Sequence, residues 1–187
     1  MTWYEFLLFV HVTAAVIWLG GGFTFQMYGA AVRRGGDVDE IARFAGRAGV
    51  LAERVFVPAS LVVVLAGTGL MIEGNWDWGR LWVVFALVTF AASFATGLFV
   101  ISPMAKRIPV VGPATPAGQE LIARLFTVLR IDLAYMYAIV FAMTVKPKSE
   151  DGWTILIAAA VLVALTLIFL APLRAQTPEA PGALPSD

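Results

Sequence analysis

The sequence predicts an all-α membrane protein: a helical bundle of about five transmembrane helices, with a four-helix core and a C-terminal fifth. Three observations predict it. Of 187 residues, 60% are hydrophobic and 14% charged, where a soluble domain carries about 25% charged residues. Mean hydropathy is +0.84. The apolar residues gather in runs of about 20, the length that crosses a bilayer's hydrocarbon.

The first run covers about residues 3–28. Its start, "MTWYEFLLFV", lacks the basic n-region of a signal peptide, so it reads as a retained span. "RRGGDVDEIARFAGRAG" follows, in which Asp37 and Glu40 have the spacing of a capping box. A short amphipathic helix is expected there, merging into a second span at about 50–72. That span contains Pro58, tolerated in a membrane where neighbours satisfy the freed carbonyl. The third covers about 81–101 and is expected to stop at Ser102-Pro103. "KRIPVVGPATPAGQELIAR" begins as a Pro/Gly-rich loop and ends as a helix entering the fourth span, about 126–145, which Lys146-Pro147 closes. The fifth covers about 153–173. Residues 1–174 thus form one bundle domain, and the Pro-rich tail 175–187 is expected to be disordered.

Charge sets the expected topology. Nine Lys and Arg (Arg33, Arg34, Arg43, Arg47, Arg54, Lys106, Arg107, Arg124, Arg174) flank one side, and Arg80, Lys146 and Lys148 the other. The basic side is cytoplasmic by the positive-inside rule. This puts the N-terminus outside and the C-terminus in the cytoplasm of a multi-pass protein of the bacterial inner membrane. Trp3, Trp76, Trp78, Trp82 and Trp153 fall at the outer boundary, where indole prefers to sit. Net charge is zero, so no basic excess points to nucleic acid. The chain has no cysteine, which excludes disulfides and thiolate-held metals.

Polar residues inside the spans are the candidate functional groups. His11, the only histidine, heads "HVTAAVIWLGGGF". Leu7, His11, Ala14, Ala15, Trp18 and Gly22 share one helical stripe. Small residues beside large ones admit a neighbouring helix or leave a slot beside imidazole and indole. His11 could hydrogen-bond a hydroxyl at its depth (Thr68, Thr89 or Tyr137), ligate haem iron or copper, or handle a proton. As a haem ligand it would stand alone, face a thioether such as Met136, or meet the His11 of a second protomer. Copper has weaker support, because the six methionines form no tight cluster. The candidate cofactor set is His11, Trp18, Gly21, Gly22 and Met136, with His11 as the metal ligand. A second constellation is charged: Glu53, Arg54, Arg130 and Asp132. Cross-pairs of Glu53 with Arg130 and of Arg54 with Asp132 would offset the cost of burying them. The alternatives are snorkelling by Arg130 and an anion or propionate site. "AASFATG" in the third span reads as a small-residue packing surface.

The motif His-x-x-x-x-x-x-Trp-x-Gly-Gly resembles the first span of a superfamily of small bacterial membrane proteins. Its members include the copper-resistance D family, the HemJ-type protoporphyrinogen oxidases and an uncharacterised branch of predicted integral membrane proteins. "ERVFVPASLVVVLAGTGLMI" and "ISPMAKR" resemble their second span and third exit. "RIDLAYMYAIVFAMTVKP" is most similar to the uncharacterised branch. The resemblance implies a four-helix haem or redox scaffold with His11 as the axial ligand. The further polar residues of the HemJ type and the extra His and Met ligands of the copper family have no counterparts here. Two readings follow. One is a haem-binding or redox membrane protein. The other is a non-catalytic accessory subunit packed in a larger membrane complex, or as a homodimer, within the lipid bilayer. Transport of copper or a small solute is a third, requiring a polar path from Asp132 to His11.

Overall fold

The computed structural model describes residues 1–148 and 153. Four helices in it are long and apolar enough to cross a membrane: α1 (Trp3–Gly35), α2 (Val38–Glu73), α3 (Leu81–Val111) and α4 (Pro116–Val145). The expected fifth span and the tail lie, but for Trp153, outside the described residues.

The helices have 30 to 36 residues, or about 45–54 Å at 1.5 Å per residue. That exceeds the roughly 30 Å of hydrocarbon in a bilayer. The sequence reading marked their apolar middles; the helices overrun these at the end that carries most of the Lys and Arg, here the basic end. Arg33 and Arg34 lie in the last turn of α1, where cations suit the helix dipole, and Gly36 closes it in the left-handed conformation (φ 74°). The Asp37 carboxylate accepts from the backbone N–H of Asp39 and Glu40 and starts α2. The Thr115 hydroxyl caps α4, with Pro116 in its first turn. The break expected at Ser102-Pro103 does not occur. The helix continues to Val111, and the loop shrinks to residues 112–115.

Two widened turns explain that continuation. The N–H of Val57 reaches back five residues to the Ala52 carbonyl. The N–H of Ser102 reaches back five to the Gly97 carbonyl. A proline follows each donor, Pro58 and Pro103. A proline ring has no N–H and presses on the carbonyl four residues earlier. One extra residue in the turn makes room for it, so each helix continues past its proline.

Packing partners differ on the two sides of these turns. Toward the other end, here the tryptophan end, α1 packs on the Val57–Glu73 half of α2, and the Leu81–Thr96 half of α3 packs on α4. Toward the basic end, the Val38–Leu51 half of α2 packs on the Ser102–Val111 half of α3. A dry core forms there around Phe44, Ile108, Leu125 and Phe126. The Phe44 ring stacks between Phe25 and Phe126. Gly29 admits it, since a Cβ there would lie 2.9 Å from Phe44 Cε1 and 3.0 Å from Phe126 Cε1. Phe9, Val16, Leu65, Val88 and Phe99 point outward and are exposed, as a lipid-facing surface requires.

The tryptophans divide. Trp3, Trp78 and Trp153 are exposed. Trp82, the second residue of α3, is buried against the protein, with Trp76 edge-on at 5.7 Å. Lys146 Nζ lies 4.5 Å from the Trp76 ring centre and the Arg80 guanidinium 5.1 Å from it. These two indoles serve cation–π contacts that tie the α2–α3 loop to the end of α4.

Candidate functional site

The stripe that begins at His11 meets two different neighbours. Its first half faces α2. Leu7 lies over Gly69 and His11 over Gly67, where an added Cβ would sit 3.1 Å from the imidazole Cε1. The bare backbone lets the ring reach the Val63 carbonyl oxygen, 2.8 Å from Nδ1. A carbonyl only accepts, so Nδ1 carries a proton, and among the described residues Nε2 has no hydrogen-bond partner. The expected hydroxyl partners, Thr68, Thr89 and Tyr137, are thus replaced by a main-chain acceptor. His11 itself is half-buried.

The second half of the stripe faces the bundle interior. Trp18 is buried against Leu133, Met136 and Ile139, with the Phe90 ring 5.6 Å away. Gly21 and Gly22 leave no open slot. The edge of Phe56 fills the first position and the Met136 sulfur the second, 3.3 Å from where a Gly22 Cβ would stand. Gly22 is 11 residues from His11, about 16 Å along the helix. His11 and Met136 therefore do not meet, and one metal cannot take both as ligands within this chain.

Trp18, Gly22 and Met136 instead line a chamber of about 80 Å³ in which all four helices take part. It lies at the widened turns of α2 and α3, which contribute Ala52, Glu53, Phe56, Gly97, Leu98 and Ile101 to its wall. Most of the wall is apolar. The polar groups are Gln26 of α1, Glu53 and Ser60 of α2, Ser93 and Ser102 of α3, and Asp132 of α4.

Among the described residues Asp132 is the one ionisable side chain that is buried, 8% exposed. Its Oδ1 accepts a hydrogen bond from Ser93 Oγ at 2.6 Å. Glu53 stands at the basic-end rim, half-exposed, in an ion pair with Lys106 and with Ser102 Oγ donating to it at 3.4 Å. The expected cross-pairs are therefore not the ones formed. Glu53 takes Lys106, one turn past the widened turn of α3, and Asp132 takes a neutral hydroxyl. Arg54 is exposed. Arg130 is half-buried, on another face of α4 from Asp132.

Gln26 and the three serines were not singled out in the sequence. Gln26 donates to the Leu129 carbonyl and so joins α1 to α4. The signal was a lone amide between Phe25 and Met27. Ser93 sat inside the stretch read as a packing surface. Among the described residues no group of three or more His, Asp or Glu side chains converges to hold a metal ion.

The model of a family described as predicted integral membrane protein (DUF2269) matches residues 5–146. No curated protein and no solved structure matches significantly.

Proposed function

Since the chain belongs to that family of predicted integral membrane proteins, we propose that it binds a small polar solute inside the bilayer, in the chamber at Asp132. The observation that carries this reading is a carboxyl group nine-tenths buried, within a span, that opens on a cavity. Such a group costs several kcal/mol in hydrocarbon, and ionisable residues at this depth mark solute, ion and proton pathways. Access is past Glu53 and Ser102, beside the apolar core that fills the basic end. On the topology expected from Lys and Arg that end faces the cytoplasm of a bacterial inner membrane. Trp18 closes the chamber toward the tryptophan end, so release there requires the indole to move. Among the described residues His11 is not part of the chamber lining, so the proposed site is entered from one side.

The test uses the absence of cysteine. In otherwise unaltered protein, Ser60→Cys inside the chamber and Ser102→Cys at its rim should both react with a small water-soluble methanethiosulfonate. Reaction at Ser102→Cys with none at Ser60→Cys or Ser93→Cys would refute the chamber.

A second reading, in keeping with the resemblance to the copper-resistance D and HemJ-type proteins, is a haem or redox site at His11. The hydrogen bond from Nδ1 to Val63 favours it, because ligating histidines are oriented by such a bond while Nε2 faces the metal. The fit is partial. His11 would be a single axial ligand, or would meet the His11 of a second protomer, and Met136 has no part in it. An iron porphyrin there would supply one-electron chemistry; copper would have His11 alone. Absorption spectra of the purified protein and of His11→Ala, oxidised and dithionite-reduced, decide this. A Soret band lost in the variant supports it; a colourless wild type from haem-replete cells favours the accessory-subunit reading.

A further inference from the structure

We infer that the chamber selects a short primary ammonium, its nitrogen on Asp132 and its carbon end among Phe56, Phe94 and Met136. This rests on the binding reading above and names its ligand class. The argument is a count of donors and acceptors. A serine hydroxyl has one hydrogen to give and two lone pairs to receive with. Ser93 spends its hydrogen on Asp132, Ser60 on the Val57 carbonyl at 2.8 Å, and Ser102 on Glu53. Gln26 gives one of its two amide hydrogens to the Leu129 carbonyl and keeps the other, the one donor left over. What these groups have left is chiefly acceptors: hydroxyl lone pairs, the amide oxygen and the carboxylate. An occupant must therefore donate hydrogen bonds, and beside a carboxylate a cationic donor does so most strongly.

The rest of the wall narrows the class. Hard divalent cations ask for six or more oxygen ligands, and no cluster of three acidic or histidine side chains is found among the described residues. A bare ion would also face hydrocarbon on most sides, since Trp18, Phe25, Phe56, Phe94, Leu98 and Met136 form much of the lining. An alkylammonium suits both surfaces. Its N–H groups answer the acceptors, its carbons meet the apolar wall, and aromatic faces attract its charge. A volume of about 80 Å³ limits it to a few heavy atoms, far below the roughly 300–1,000 Å³ of pockets for drug-sized ligands.

The experiment is protection of Ser60→Cys from the methanethiosulfonate by ethylammonium chloride, in full-length protein in detergent, at constant ionic strength. Saturating ethylammonium is expected to slow labelling on the order of tenfold, and to do so no longer when Asp132→Asn is added. Equal concentrations of sodium chloride or of neutral ethanol should leave the rate unchanged. Labelling that proceeds at one rate in all three solutes overturns the ammonium inference while leaving the chamber in place. Protection by sodium as strong as by ethylammonium assigns the site to a metal cation and also overturns it. If Ser60→Cys never reacts although Ser102→Cys does, the chamber reading fails and this inference with it. Should Asp132→Asn not run as a single species on size exclusion, Ser93→Ala takes its place and should weaken protection.

Discussion

Ser93 Oγ donates to Asp132 Oδ1 across 2.6 Å and joins α3 to α4 in the middle of the bundle. Both residues are buried, at 3% and 8% exposure. Removing the hydroxyl leaves a desolvated carboxyl without that donor. Ser93→Ala should therefore lower unfolding free energy in detergent by about 1–2 kcal/mol. The double variant Ser93→Ala/Asp132→Ala should lose about 1 kcal/mol less than the two single losses together. Strict additivity in thermal or denaturant unfolding would show that the pair is not coupled.

Gly29 and Gly20 lie on the same helix and should answer alanine in opposite ways. A Cβ at Gly29 drives into the Phe44 and Phe126 rings, while at Gly20 it meets nothing within 4 Å. Gly29→Ala is expected to cost about 1–3 kcal/mol through displaced rings. Gly20→Ala should be neutral or stabilise by up to about 1 kcal/mol, the helix propensity difference. Melting temperatures of the two variants check this, and a Gly29→Ala protein as stable as the wild type would contradict the stack.

His11 is the only histidine, so its imidazole nitrogens can be read without assignment. Nitrogen-15 spectra should show a protonated Nδ1 and an unprotonated Nε2, the reverse of the tautomer common in water. Gly67→Ala places a methyl about 3 Å from the ring and should shift both resonances as the bond to Val63 lengthens. An unprotonated Nδ1 in the wild type would rule out the bond as described.

Glu53 and Lys106 form an ion pair with side chains 51% and 57% exposed. Solvent screens such a pair, so its coupling should stay below about 1 kcal/mol and fade in molar salt. A double-mutant cycle of Glu53→Ala with Lys106→Ala should show it. The cycle of Glu53→Ala with Arg130→Ala should be additive; coupling there larger than with Lys106 would restore the pairing expected from charge alone.

Helices, their order and the lipid-facing character of most residues were legible because hydropathy is a property of composition within a window. Partners were less so. His11 bonds a main-chain oxygen, and every residue offers one, so no side chain in the sequence advertises the contact. Lys106 looked like a topological charge because it sits in a basic flank, and nothing local distinguishes it from Arg107. Ser93 was absorbed into a small-residue pattern that fits packing and hydrogen bonding equally. Asp132 stood out, since an acid in an apolar run is rare; its neutral partner did not. Pro58 and Pro103 were visible, but a proline signals a disturbed turn and not whether the helix ends, bends or widens. That outcome depends on the neighbouring helices.

The widened turns at Ala52–Phe56 and Gly97–Ile101 are, in terms of chain length, one-residue insertions. Each adds about 100° of rotation between the two halves of its helix. The apolar stripes before and after it are consequently out of phase, and a substitution scan would show two separate periodicities along α2 and two along α3. Excising one residue from each turn would rejoin the stripes and swing Glu53 and Ser102 away from the rim. The shortened protein would be a straighter bundle of nearly the same composition, filled at its centre. Two residues of length, placed at one level in neighbouring helices, separate a solid membrane anchor from a protein with an interior.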